Sequence, residues 1–382
     1  MGFHEFSSPY DWSRIAAYKR TAKAAFGGMI DLSVGSPVDP VPDSVRKALA
    51  VAANDPNAYG YPATAGTADL RAAIAEWFSA ARNVDLQAIH ADVVPTVGSK
   101  EGVALMASLL HFGEDDVVVQ PKVSYPTYEI GTQLAGAQVL KVDDVADVAS
   151  WRNVPGVKAV WVNSPCNPTG EVYSAERMAG IVAAVREIGA VVLSDECYAL
   201  MQWRGATNSA DDDPLQSTPC ALRSDVCAGS AEGVLVLYSL SKQSNMAGYR
   251  TAFIAGDESL IASMSAYRKQ IGQIIPGPVQ AAMAAGLRDL ESVKVQHARY
   301  RERLGVLVPV LRAYGYCTDM PDGALYVWVR AKSGDCWTDM EQLAKIGIIA
   351  SPGEFYGAPE CLRFSATASD EAIASAAERL AR

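Results

Sequence analysis

The feature that most constrains this chain is a series of short apolar runs, rich in β-branched residues, recurring through its middle with helical patterns between them. The runs are Val117–Gln120, Val157–Asn163, Ala190–Ser194, Val234–Tyr238 and Thr251–Ala255. Amphipathic stretches such as Lys100–His111 and Ala175–Ile188 separate them. A run that is apolar at nearly every position, rather than at alternate ones, suits a strand buried on both faces. Such strands belong to parallel sheets whose crossovers are helices. The pattern predicts an α/β fold with a mostly parallel sheet sandwiched by helices. From about Ser259 the texture changes. Long helical patterns over Leu260–Gln270, Pro278–Leu290 and Glu291–Ala313 precede short strands at Ala324–Arg330, Ile348–Ala350 and Leu362–Ser365, and a helix closes the chain from Asp370. This predicts a second, smaller α+β domain. Arg204–Gly233, with Asp211, Asp212 and Asp213 in a row, reads as a long surface loop.

Charge and cysteine usage narrow the partners. Lys and Arg number 33 against 43 Asp and Glu, a net charge of −10. An acidic protein lacks the basic footprint that nucleic acid or an anionic membrane requires. No apolar run reaches the ~18 residues of a membrane span, and the N-terminal residues lack the apolar core of a signal peptide. Seven cysteines without a CxxC pair predict reduced thiols in a cytoplasmic protein. His4, His90, His111 and His297 lie far apart, so no metal site is expected.

In open α/β sheets, ligands bind beyond the carboxyl ends of the strands. The residues following each run therefore carry the argument. Thr96-Val97-Gly98-Ser99-Lys100 opens a helix, a start suited to a phosphate. Pro121 leads to Tyr125-Pro126, Val162 to Asn167-Pro168-Thr169-Gly170, Leu193 to Asp195 and Tyr198, and Leu237 to Ser239-Leu240-Ser241-Lys242, with Arg250 close behind. Taken singly, each has a plainer explanation as a turn, a helix cap or a solvated lysine. In order, and each at a strand end, they point to one site. Ser239-x-x-Lys242 also satisfies the S-x-x-K pattern of acyl enzymes, but the companion S-D-N and K-T-G motifs are absent. A nicotinamide dehydrogenase would need G-x-G-x-x-G after a strand, and none is present.

This ordered set resembles the class I/II, fold-type I aminotransferases that use pyridoxal 5′-phosphate (PLP). Further matching pieces are Leu32-Ser33-Val34-Gly35, Tyr61-Pro62, Ser351-Pro352-Gly353 and Leu362-Arg363-Phe364. The resemblance implies a large PLP-binding domain over 35–270 with a seven-stranded sheet. It also implies a small domain over 271–382 and an N-terminal arm over 1–34 that joins it. It implies that Lys242 is the Schiff-base lysine of a ping-pong transamination. Asp195 would pair with the pyridine N–H, Tyr198 and Asn167 would bond the ring oxygen, and Tyr125 would stack on the ring. Gly98, Ser99, Lys100, Ser239 and Arg250 would hold the phosphate. Arg363 would clamp the substrate α-carboxylate with Gly35 and Asn167 beside it. Tyr61 would reach the phosphate of a neighbouring subunit, which implies a homodimer with shared sites. The stretches Asp31–Pro42, Gly60–Thr67, Ser239–Arg250 and Pro352–Gly357 further resemble actinobacterial-type N-succinyldiaminopimelate aminotransferases. That implies glutamate and 2-oxoglutarate as the donor pair in lysine and diaminopimelate synthesis. Related outcomes on the same scaffold are an aspartate or aromatic specificity, or a carbon–sulfur β-lyase. A tricarboxylate substrate calls for further cations, for which Arg14, Lys122, Arg268 and Lys269 are candidates.

Overall fold

A computed structural model describes residues 11–203 and 218–382. The acidic run at Asp211, Asp212 and Asp213 lies outside the described residues. The central sheet has seven strands in the spatial order Ala91–Val97, Thr251–Asp257, Val234–Ser239, Val191–Asp195, Val157–Asn163, Val117–Pro121 and Gln138–Val142. Neighbours run parallel throughout, except that Thr251–Asp257 is antiparallel to both of its partners. Successive side chains enter opposite layers. Ala159, Leu193, Leu235 and Ile254 pack on one face with Met106, Trp161 and Met264. Val160, Val192, Val236 and Phe253 pack on the other with Trp77, Phe78 and Ile181. That is why these runs are apolar at consecutive positions: both faces are covered, and each fully buried Val, Leu or Phe contributes about 1.5–3 kcal/mol.

The flanking helices start where capping side chains stand. Thr67 accepts from the Leu70 amide at 3.2 Å to open Ala68–Arg82. Ser174 does the same for Arg177 at 3.1 Å to open Ala175–Glu187. The helix Gly277–Arg288, grouped with the C-terminal part by sequence texture, packs instead on Asp43–Ala53 and Ala68–Arg82. Its Met283 and Leu287 join the large-sheet core. The chain texture changes before the core does, because a helix pattern does not say which sheet its apolar face meets.

The smaller unit holds a three-stranded antiparallel sheet, Ser351–Pro352, Cys361–Ser365 and Tyr326–Arg330 in that order. Leu290–Ala313, Cys336–Lys345 and Asp370–Leu380 supply its helices. Both chain ends build it. Helix Ile15–Ala24 packs on Cys336–Lys345, and Ile30–Asp31 pairs in parallel with Ile348–Ile349. Leu32, Tyr300, Leu325 and Leu362 lie in its separate apolar core. No helix among the described residues is long and apolar enough to cross a membrane.

Candidate active site

The sheet register brings the predicted residues to one edge. Asn163 pairs with Asp195 at the ends of adjacent parallel strands. Thr251–Asp257 runs backwards, so its first residue stands beside the strand ends, with Thr251 opposite Val97 and Ala252 opposite Ser239. Arg250, just before it, arrives at the same edge. Strand Cys361–Ser365 and the segment Ser33–Gly35 close over this edge and enclose a cavity of about 410 Å³. That volume suits a small-molecule ligand.

Lys242 lies in the single turn Leu240–Gln243, which Ser239 caps by accepting from the Ser241 amide at 3.1 Å. Its Nζ donates to the Gly35 carbonyl. Burial pushes the Lys242 ammonium down to about 8, and the charges of Arg363 and Arg250 act in the same direction. Asp195 is buried, and burial raises its carboxyl. Three donors oppose that: the Tyr128 hydroxyl bonds Oδ2 at 2.7 Å, the Cys197 amide bonds Oδ1 at 3.2 Å, and the Cys197 thiol adds a weaker bond. Asn163 ties the neighbouring loop in place. Its Nδ2 donates to the Asp195 carbonyl at 2.8 Å, and its Oδ1 accepts from the Asn167 amide at 2.7 Å. The Ser164–Pro165 and Asn167–Pro168 peptides are both cis.

One end of the cavity is built for an anion. Gly98 has φ +78°, and a Cβ there would overlap the Arg250 guanidinium. Only glycine both tolerates this backbone and lets the arginine lie against it. Helix Ser99–Leu109 begins at that point with no side-chain cap, so its first N–H groups and the positive end of its dipole remain available. Among the described residues Arg250 donates only to carbonyls, Ala247 at 2.8 Å and Val97 at 3.5 Å. Ser239 and Ser241 share a hydroxyl bond of 2.8 Å alongside.

The opposite end holds Arg363, only 4% exposed. Its Nη1 donates to Asn167 Oδ1 at 2.7 Å and its Nη2 to the Ser33 carbonyl at 2.8 Å, while Nε has no partner. The rings of Tyr326 and Tyr356 lie 3.9 and 4.8 Å from the guanidinium carbon. Among the described residues no carboxylate pairs with it. A buried guanidinium without a counter-ion is costly unless an anion from outside completes it. Tyr326 also hydrogen-bonds Tyr198 hydroxyl to hydroxyl at 2.6 Å. It fills the space beside Gly35, where a Cβ would overlap its hydroxyl.

Of the other predicted residues, Tyr125 lines the cavity wall and Lys100 stands exposed at its rim. Tyr61 is fully exposed and does not line the cavity. Three candidates for extra cations are engaged elsewhere. Arg268 is buried against Glu101 at 2.8 Å, Arg14 pairs with Glu354 at 2.7 Å, and Lys122 pairs with Asp143 at 2.9 Å. Sequence reasoning missed Tyr128, Tyr326, Tyr356 and Trp12. Cys197 also lines the cavity, but burial and Asp195 push its thiol well up, which removes it as a nucleophile. Among the described residues no cluster of His, Cys, Asp and Glu could hold a metal ion.

A lysine with a lowered pKa, a buried carboxylate, an anion cradle at a helix start and a counter-ion-free arginine, set at the edge of this sheet, define a fold-type I PLP-dependent enzyme. The residues fit that cofactor: Arg250 and the Gly98 cradle match a phosphate, and Asp195 matches a protonated ring nitrogen. Residues 27–380 match the family model for aminotransferase class I and II, and the chain belongs to that family, whose members depend on PLP. The chain is 39% identical over 373 residues to 4-dedimethylamino-4-oxo-anhydrotetracycline transaminase of Streptomyces rimosus, covering 97% of this chain and 98% of that one. It is equally 39% identical, over 377 residues, to a probable aminotransferase of Mycobacterium tuberculosis, covering 97% and 84%. Among solved structures, a probable N-succinyldiaminopimelate aminotransferase of Thermus thermophilus superposes with a TM-score of 0.81 at 27% identity, covering 97% of this chain and 99% of that one.

Proposed function

We propose that this aminotransferase moves an amino group from an amino acid to a 2-oxo acid at the cavity between Lys242 and Arg363. The observation that carries the reading is Arg363: a buried guanidinium facing the cavity with its Nε unpartnered and no carboxylate beside it. Bound PLP supplies an electron sink for negative charge developing at the substrate α-carbon. Arg250, the Gly98–Lys100 helix start and Ser239 hold its phosphate, Asp195 accepts from its ring N–H, and Tyr125 covers its face. Tyr198 and Asn167 donate to its ring oxygen. Arg363 grips the substrate α-carboxylate as a two-point fork and so aims the α-hydrogen at Lys242. Lys242 Nζ, its ammonium pushed down by burial and by Arg363 and Arg250, would act as the base that takes that proton. Tyr61 serves the phosphate of a second subunit in a homodimer, which accords with its complete exposure in one chain.

For the substrate we propose N-succinyl-LL-2,6-diaminopimelate with 2-oxoglutarate. The motif resemblance and the likeness to the Thermus protein support it. Among the described residues, four cations line the cavity: Lys100, Lys242, Arg250 and Arg363. With the others committed, Lys100 is, among the described residues lining the cavity, the cation left for the distal carboxylates, and residues of a second subunit would add to it. The likeness to the Streptomyces enzyme, and Trp12 on the cavity wall with its ring tilted against Phe355 at 4.7 Å, favour a second reading, a tetracycline-type ketone as acceptor. An amino-acceptor screen with glutamate as donor decides between them. It compares the succinylated oxopimelate, a tetracycline-type ketone, oxaloacetate and aromatic 2-oxo acids. Release of pyruvate and ammonia from a sulfur amino acid without any acceptor would show a β-lyase instead. Lys242→Ala is expected to abolish the absorbance band of the bound cofactor and all transamination. Unchanged activity would overturn the reading.

A further inference from the structure

Tyr128 does not line the cavity, yet its hydroxyl points at the group the cofactor needs most. It stands in the first turn of helix Thr127–Leu134 and is 1% exposed. Its ring stacks on Trp161, with centroids 4.4 Å apart and planes 16° apart, and Tyr125 meets it edge-on at 5.7 Å. This packing fixes the ring and so aims the hydroxyl, which donates to Asp195 Oδ2 at 2.7 Å. The other carboxylate oxygen accepts a longer bond, 3.2 Å, from the Cys197 amide. The Cys197 thiol also reaches this carboxylate, but a thiol is a weak donor, so Tyr128 is the strong side-chain donor among the described residues. Burial and the adjacent carboxylate hold the phenol well above its usual range, so it remains a donor.

A carboxylate buried without a cation beside it drifts toward its neutral form, and a hydrogen bond to its oxygen favours the charged one. Resting on the assignment of Asp195 to the cofactor's ring nitrogen, we propose that Tyr128 is a positioning residue for PLP. Its hydroxyl keeps Asp195 ionised and fixes the carboxylate plane, so that the ring N–H meets an oriented anion. Tyr128 acts through Asp195 and touches no reacting atom.

The test uses the full chain and two ligands, PLP and its 1-deaza analogue, in which a CH replaces the ring nitrogen. Dissociation constants are measured for wild type, Tyr128→Phe and Asp195→Asn. Phenylalanine keeps the stack on Trp161 and removes only the hydroxyl. Tyr128→Phe is expected to weaken PLP on the order of tenfold to a hundredfold, the worth of one hydrogen bond to a charged group, and to leave the analogue unaffected. Equal weakening of both ligands would mean a merely structural tyrosine, and no weakening of either would mean no role; each result overturns the proposal. If Asp195→Asn discriminates between the ligands and Tyr128→Phe does not, this proposal alone fails. If Asp195→Asn shows no discrimination, the cofactor assignment fails with it.

Discussion

Replacing Arg363 with lysine keeps the positive charge and removes the fork. In the protein, Nη1 is held by Asn167 at 2.7 Å and Nη2 by the Ser33 carbonyl at 2.8 Å, leaving Nε and the outer lone positions of the guanidinium edge for a ligand. A lysine ammonium can replace one or both of those bonds, but it then has no planar pair of donors left for a carboxylate. The loss is one to two charge-assisted hydrogen bonds at ~1.5–3 kcal/mol each. Taking about 3 kcal/mol, kcat/KM for glutamate should fall roughly 150-fold. The assay compares glutamate with 4-aminobutyrate, which lacks the α-carboxylate, in single-turnover absorbance measurements, and follows PLP affinity separately by titration. Arg363→Lys should cut the glutamate rate by that factor while leaving 4-aminobutyrate and PLP nearly untouched. Equal losses for both amines would refute the clamp, and so would a parallel loss of PLP affinity.

Two further outcomes follow from buried charges. Lys242 is depressed by burial first and by Arg363 and Arg250 next. Amine-directed labelling of the cofactor-free chain at this residue should therefore rise with pH to a midpoint of about 8, and Arg363→Ala should move that midpoint upward; a midpoint near the ordinary lysine value of about 10.4 contradicts the argument. Arg82 and Glu196 form a fully buried pair at 2.9 Å, with Glu196 also accepting from Ser194 Oγ and the Ala221 amide. Glu196→Gln leaves the guanidinium short of its counter-charge, so denaturant unfolding should report a loss of about 3–5 kcal/mol, and a wild-type midpoint would show the pair to be energetically idle.

The central strands were legible because burial on both faces leaves little freedom in composition. Val157–Asn163 coincides with its predicted run, and Val117–Pro121, Val191–Asp195, Val234–Ser239 and Thr251–Asp257 differ only at their ends. Gln138–Val142 escaped notice because it is an edge strand whose residues are largely half-buried or exposed, so its composition carries no core signal. Strand Tyr326–Arg330 begins later than its apolar run, since Ala324 takes φ +60°. The reversed direction of Thr251–Asp257 has no local signature. Residues delivered by strand ends, such as Asp195, Asn167 and Lys242, could be read from position. Tyr128, Tyr326 and Tyr356 could not, because their reach into the site depends on how a helix and a second sheet dock, and nothing near them in the sequence encodes that distance.

The reversed strand of the large sheet also makes Lys242 and Arg250 a single structural part. Because Thr251–Asp257 turns straight back along Val234–Ser239, the short connection between them delivers the Lys242 amine and the Arg250 guanidinium from its two ends to one edge. A conventional crossover to a parallel strand would have put the arginine at the far side of the sheet. The smaller unit can therefore vary what it presents to the cavity, through Trp12, Tyr326 or Tyr356, without altering the lysine–arginine spacing, which the large sheet sets.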